Sequence, residues 1–396
     1  MAKSLTLCRI LSNNLFRIQP TCQINVRYLY SKEALGIDGY EQTRQRVSTQ
    51  FTNMEEKFKT KMEECVDPKA ATMIFTEDLK NMIHLAKPEE RDLKLIHDMI
   101  LRFNKQNTSL RFGNFIFGPV VMRMFYFLNK PEEALQCFKN PDLDGFFDQL
   151  MSYQILMDLL FINGKYDDVL EVFEIIRAKQ IQTAKFPKQA VVLTLASLYK
   201  KNTPESLDAA LKLWEELRTV GHVPIRKACT FMAGLALNQG KPQIALEVLS
   251  NINNQTYMTI RNLKVAALSE INRLEDVIQI LKSVLEIDRP GQQKFTFNID
   301  VIEKANSAVQ NSSNKEIITT FERIITHLKE GGHITENTLD TDLCRDVLPN
   351  FNANFNRNPR FNDNRQYNNR RFTNSENRYE RNFRPQQTRP GLEDLQ

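Results

Sequence analysis

Glycine and proline are scarce in this chain, at 13 and 15 among 396 residues, and tryptophan occurs once. A turn-rich β-sandwich or barrel is therefore disfavoured, while the 41% hydrophobic content is ample for a helical core. No run approaches the roughly 18 continuous apolar residues that cross a bilayer, so no membrane span is expected. The cysteines lack paired spacing: Cys8 and Cys22 lie near the start, and Cys65, Cys137, Cys229 and Cys344 stand far apart. That pattern argues against a zinc cluster and a disulfide framework. Cys137 and Cys229 fall on apolar helix faces and read as small buried hydrophobes. A glycine-rich phosphate loop, a metal-ligand cluster and a Ser/His/Asp constellation are also missing, which argues against an enzyme and against a cofactor. The histidines are scattered, and His327 and His333, on either side of Gly331-Gly332, read as an exposed helix end.

Acidic residues are absent from the first 32 positions, which carry Lys3, Arg9, Arg17, Arg27 and Lys32 among Ser, Thr and Asn. Leu5, Ile10, Leu11, Leu15 and Phe16 can form an apolar face, but Arg9, Asn13, Asn14 and Arg17 interrupt the continuous block that a secretory signal needs. This is the pattern of a mitochondrial transit peptide over residues 1–31, removed around Arg27 to Ser31, and it points to the matrix. An ordinary basic arm is the alternative. Lysine, in turn, is absent from residues 349–396, which hold nine Arg and five acids. The net charge of +5 therefore belongs to the two ends, and the stretch between them is net acidic.

The stretch Ser152 to Ile181 sets the register of the rest. Tyr153, Leu156, Leu159 and Leu160, then Val169, Val172, Phe173 and Ile176, recur at three-and-four spacing on either side of Asn163-Gly164-Lys165. Two amphipathic helices joined by a tight turn are expected, a unit too small to bury both its faces without neighbours. Equivalent second-helix positions are Ile96, Phe138, Phe173, Trp214, Leu249, Leu281 and Phe321, a repeat of about 35 residues with variable turns. Turns follow at Asn129-Lys130-Pro131, Asn202-Thr203-Pro204, Asn238-Gln239-Gly240 and Asn272-Arg273, where Asn ends one helix and Pro opens the next. Ala134, Val169, Ala210, Ala245 and Val277 mark close approaches in the core. We expect an all-α solenoid: about seven helix pairs over residues 71–330, then a linker over 331–348. Upstream, Val47, Phe51, Met54, Phe58 and Met62 predict one long helix over 40–66 that caps the array, with partner binding as the alternative.

The pattern lacks the Trp, Leu-Gly and Tyr that a tetratricopeptide first helix requires. The stretch Ser152 to Ile181 instead resembles a pentatricopeptide repeat, with its opening Tyr153, its Asn163-Gly164-Lys165 turn and Val172-Phe173-Glu174 in the second helix. Asp208 to Pro224, closing on Gly221 and Pro224, resembles the second half of such a unit, and Lys227 to Ile252 resembles a third. The resemblance is specific over residues 150–285 and extends over 72–330. It implies a right-handed superhelix whose first helices line a surface for single-stranded RNA, here mitochondrial RNA. Transcript processing or stability, and through it the respiratory chain, is the implied role, with other mitochondrial RNA-processing proteins as further partners.

In that family one base is read per repeat by a residue near the start of the first helix together with the last residue of the repeat. The corresponding positions are Gln154, Val192, Thr230 and Asn262, with Ala184, Ile225, Tyr257 and Gln292 as partners. Only Thr230 and Asn262 are of base-reading type, and neither has an Asp or Asn partner. Of the late first-helix positions that meet phosphate in the family, only Lys200 is basic. Three cation pairs do collect near first-helix starts: Lys185 and Lys188, Arg226 and Lys227, Arg261 and Lys264. On one edge they would form a phosphate-contacting stripe; otherwise they are solvated helix ends. The tail after Pro349 alternates arginines, among them Arg370 and Arg371, with single Phe and Tyr residues. It reads as a disordered, sequence-tolerant RNA tether or as a solvating extension. A protein-binding scaffold in mitochondrial complex assembly is the rival to RNA binding.

Overall fold

A computed structural model describes residues 29–67, 72–110, 115–180, 185–287, 294–312 and 314–345. The transit-peptide reading over 1–28 and the tail reading after Pro349 lie outside them, as do the Ala184 and Gln292 positions. The described chain is an all-α helical-repeat solenoid, with one two-residue parallel strand pair as its only sheet. It opens with α1 (Lys32–Leu35), α2 (Ile37–Phe51) and α3 (Glu55–Val66). Helix pairs then follow as α4 (Thr76–Leu85) with α5 (Glu90–Leu110), α6 (Gly118–Leu128) with α7 (Pro131–Lys139), and α8 (Leu150–Ile162) with α9 (Tyr166–Lys179). They continue as α10 (Lys188–Lys201) with α11 (Pro204–Thr219), α12 (Arg226–Asn238) with α13 (Pro242–Ser250), and α14 (Met258–Glu270) with α15 (Leu274–Ile287). After β1 (Phe297–Asn298) come α16 (Ile299–Gln310) and α17 (Lys315–Glu330), then β2 (Ile334–Thr335) and α18 (Leu339–Leu343).

The turns between paired helices share one device. Each of the five turns from α6 to α15 has a single left-handed residue, Asn129, Gly164, Asn202, Gly240 or Asn272, with φ between 47° and 73°. Only Gly and Asn adopt that conformation at low cost. It lets the next amide reach back five residues: Lys130 to Phe125, Lys165 to Leu160, Lys241 to Ala236 and Arg273 to Leu268, at 2.8–2.9 Å. Adjacent turns are also tied to each other, Asn163 donating to Asn129 at 2.9 Å and Gln239 to Asn202 at 2.8 Å. Pro131, Pro204 and Pro242 then start α7, α11 and α13, where a missing N–H costs nothing.

First helices pack on first helices in a continuous row, α6 on α8, α8 on α10, α10 on α12, α12 on α14 and α14 on α16. Ala134, Val169, Ala210, Ala245 and Val277 are each fully buried where the second helices meet this row. Cys137 and Cys229 are buried as small hydrophobes, and burial pushes their thiols up to about 12 and about 11. Brief iodoacetamide treatment of the native protein at pH 8 should therefore leave both unmodified, and urea should expose both. Rapid alkylation of either in the native state would mean that the array is open there.

Two expectations need correction. Residues 40–66 form two helices, because the chain breaks at Thr52–Met54; α2 packs on α4 and α6, while α3 packs on α5. The register resets at the break, so Met54 is 56% exposed while Lys59 and Cys65 are buried. Residues 331–345 are a docked segment rather than a linker: β2 pairs with β1, and α18 packs on α12 and α14. His333 is accordingly buried, its ring against the Phe295 carbonyl at 2.8 Å, and is no exposed helix end. Leu29 and Tyr30 also pack in the fold: both are buried, the Tyr30 hydroxyl donates to Gln189 at 2.6 Å, and Ser31 caps α1.

Candidate nucleic-acid interface

The first-helix row is buried on more sides than its partner helices alone can cover. Residues 155–161 of α8, 190–199 of α10 and 228–237 of α12 are buried without interruption. The chain supplies the extra cover. α1 reaches α8 and α2 reaches α6, with Arg123 donating to the Leu35 carbonyl at 2.8 Å. Over the later repeats β1 and α18 take this place.

The family-type reading positions lie within this covered row. Val192 and Asn262 are fully buried, Thr230 is 2% exposed, and Gln154 is half-buried. The Thr230 hydroxyl donates to the Lys227 carbonyl at 2.8 Å. The Asn262 amide accepts from the Asn298 backbone at 3.1 Å and faces the Thr296 carbonyl. Their hydrogen-bonding capacity is spent inside the protein, so neither presents a base-reading edge in this conformation. Lys200 is likewise engaged, ion-paired with Asp340 at 2.7 Å, and Lys227 donates to the Arg345 carbonyl at 2.7 Å. Arg370 and Arg371 lie outside the described residues.

The remaining cations occupy a different feature, the edge formed by the starts of the first helices. From α6 to α14 no first helix has an acidic residue in its first turn, whereas every second helix from α7 to α15 except α13 does. Lys188, Arg226, Lys227 and Arg261 stand in the first turns of α10, α12 and α14. There the helix dipole is positive, and each cation costs helix stability where an acid would add it. Lys185, Lys188 and Arg226 are exposed, and Lys264 is half-buried.

Contacts between successive helix starts make this edge continuous. Phe186, before α10, packs edge-on against His222 at 6.4 Å, and Lys185 stands 5.4 Å over the Phe186 ring. Arg226 lies 3.4 Å from the ring centroid of Tyr257, the residue before α14, and Tyr257 is 43% exposed. Arg261 lies 5.3 Å from the ring of Phe295, which precedes β1. Burial first, and then neighbouring Lys188, hold His222 below its ordinary value, which disfavours the charged ring. Burial also pushes Arg261 and Lys264 down, with no described carboxylate beside either to offset it. Arg261 is 8% exposed, and its Nη1 has no hydrogen-bond partner. The edge is thus a ladder of cations and rings in which desolvated charge lacks a counter-ion.

Sequence reasoning found the cations of this ladder but not its rings. An aromatic just upstream of a first helix, as in Phe186 and Tyr257, was the available signal; Phe295 precedes β1 and then α16 in the same way. Among the described residues no group of His, Cys, Asp and Glu could hold a metal ion, and no helix is long and apolar enough to cross a membrane.

Stacked helix pairs closed by Asn or Gly turns, with cations along the first-helix edge, define a pentatricopeptide-type helical-repeat protein. No protein-family profile matches the chain. It is 33% identical over 273 residues, 69% of this chain and 70% of the relative, to the mitochondrial pentatricopeptide repeat-containing protein 2 of Mus musculus. It is 30% identical over 320 residues, 80% of each chain, to the Homo sapiens protein of that name. A similar relative from Danio rerio is 31% identical over 273 residues. The chain belongs to the family of pentatricopeptide repeat-containing protein 2.

Proposed function

We propose that this chain is a non-catalytic RNA-binding protein of the mitochondrial matrix that supports the maturation, processing or stability of mitochondrial transcripts, and through them the respiratory chain. The observation that carries this reading is the ladder of cations from Lys185 to Lys264 on helix starts whose first turns hold no acid, with Arg226 stacked on exposed Tyr257. A polyphosphate chain supplies the counter-charge these cations lack, and unpaired bases can stack on Tyr257. The mode is weakly sequence-specific, because three of the four reading positions, Val192, Thr230 and Asn262, are buried, and Thr230 and Asn262 are already bonded. The acid-free leader and the mitochondrial relatives support the compartment.

The rival reading, a protein scaffold in complex assembly, draws on one observation: the first-helix row already holds a peptide segment, α18. Ultraviolet crosslinking in intact mitochondria separates the two. RNA binding expects particular transcript segments to be recovered, with crosslinks on peptides spanning 185–188 and 226–264. Background RNA recovery beside a stoichiometric protein partner would overturn it in favour of the scaffold.

A further inference from the structure

The segment around α18 is attached chiefly through polar links. Nearly all of its polar links present an oxygen to a cation or an amide. Asp340 accepts from Lys200 at 2.7 and 3.0 Å, and the Arg345 carbonyl accepts from Lys227 at 2.7 Å. Asp342 accepts from the Asn298 side chain at 2.8 Å. A further link has the Leu339 amide donating to Asp300 at 2.9 Å. The apolar hold is small: Leu343 and Cys344 are buried and Leu339 is partly buried. Leu343 sits over Gly234 so closely that a Cβ there would lie 3.1 Å from it and 3.0 Å from the Tyr199 ring. Glycine at this point in α12 is what lets the segment lie down.

We propose that residues 337–345 are a strap that holds shut the face of α10, α12 and α14, the first-helix face that the family resemblance assigns to single-stranded RNA. The carboxylate of Asp340 and the carbonyl of Arg345 stand where phosphate oxygens would stand, on Lys200 and Lys227. Tyr199, packed beside Gly234 and with Lys200 5.7 Å from its ring, becomes available to a base once Leu343 leaves. A five-residue helix anchored by so little apolar surface opens at far lower cost than the array beneath it. The inference rests on the RNA reading above and adds its regulation: the ladder makes first contact, and a strand long enough to continue inward displaces the strap.

The test uses the full chain and a 20-nucleotide oligouridine. Asp340→Asn with Asp342→Asn is compared with a charge-matched control, Glu64→Gln with Glu89→Gln, both exposed and in the α3–α5 region. The strap variant should bind several-fold tighter than the control, with a salt slope steeper by about 1.4, the value for two additional phosphate contacts on a single strand. Leu343→Ser should act in the same direction without changing charge. In the unaltered protein, amide exchange in 339–345 should rise when the oligonucleotide is added. If RNA binds but affinity, slope and exchange are unchanged, the strap is overturned and the ladder reading stands. If no protein binds RNA, the reading itself falls. If a peptide spanning 337–345 binds the variants and RNA does not compete, the face docks protein, and the nucleic-acid assignment is overturned.

Discussion

Asp92→Ala should lower stability by about 3 to 5 kcal/mol, read as an early transition in urea unfolding that reports the α3–α5 region. Asp92 and Lys59 are each 2% exposed in their side chains and stand 2.7 Å apart, one on α5 and one on α3. Lys59 also meets Glu55 at 2.9 Å, and Asp92 accepts the Lys87 amide at 2.9 Å. Burial alone would push the Lys59 ammonium down, but the hydrogen bonds and charge of Asp92 and Glu55 outweigh it and hold the group above its ordinary 10.5. Its contribution is therefore complete at neutral pH and is lost only as pH rises through that raised value. Glu55 runs the other way. Burial pushes it up, but Lys87 and Lys59 bring it to a net value below 4.5, so its contribution is present above 4.5 and disappears as pH falls through the depressed value. Removing Asp92 leaves a buried ammonium short of its closest partner. Replacing the pair together, Lys59→Met with Asp92→Leu, should recover most of the loss, because the desolvation penalty goes with the charges. A single-variant loss below about 1 kcal/mol would show that Lys59 finds water instead.

That pair also shows where the sequence stops being legible. A lysine in an amphipathic segment reads as solvated, and the stripe Val47, Phe51, Met54, Phe58 and Met62 reads as one uninterrupted face. The break at Thr52–Met54 carries no Gly or Pro to announce it, yet it resets which side of the chain is inside. The repeat array was legible because each turn needs a left-handed residue and Asn or Gly stands at each, while Ala or Val marks each close approach. The cover over the first-helix row was not. Leu29, Tyr30 and α18 are short segments that gain order only by packing on distant helices, a long-range effect that periodicity does not carry. For the same reason Lys200, Lys227, Thr230 and Asn262, which occupy or neighbour the family's functional positions, turn out to be engaged within the chain. The cations of the edge could be read because helix starts can be read, and a cation in a first turn works against the dipole wherever the fold places it.

Reversing Lys185, Lys188 and Arg226 together to Glu is expected to weaken binding of single-stranded RNA by on the order of 100-fold near 50 mM salt, and to flatten the salt slope by about 2. The three are chosen because they are exposed, so the change leaves the core alone; Arg261, at 8% exposure, would not allow that. Tyr257→Ala, which removes the ring under Arg226, should cost about 1 to 3 kcal/mol of binding with little change in slope, since stacking releases no counter-ions. The stability readout separates function from structure. Lys188→Glu and Arg226→Glu place acids in the first turns of α10 and α12, where each is favoured by about 0.3 to 1 kcal/mol. The reversed protein should therefore melt no earlier than the original while binding far more weakly. Loss of binding together with loss of stability would make the cations structural, and unchanged binding would remove the ladder from the RNA surface. Opposite movement of the two quantities is the signature of charges retained for a ligand at a cost to the helices that carry them.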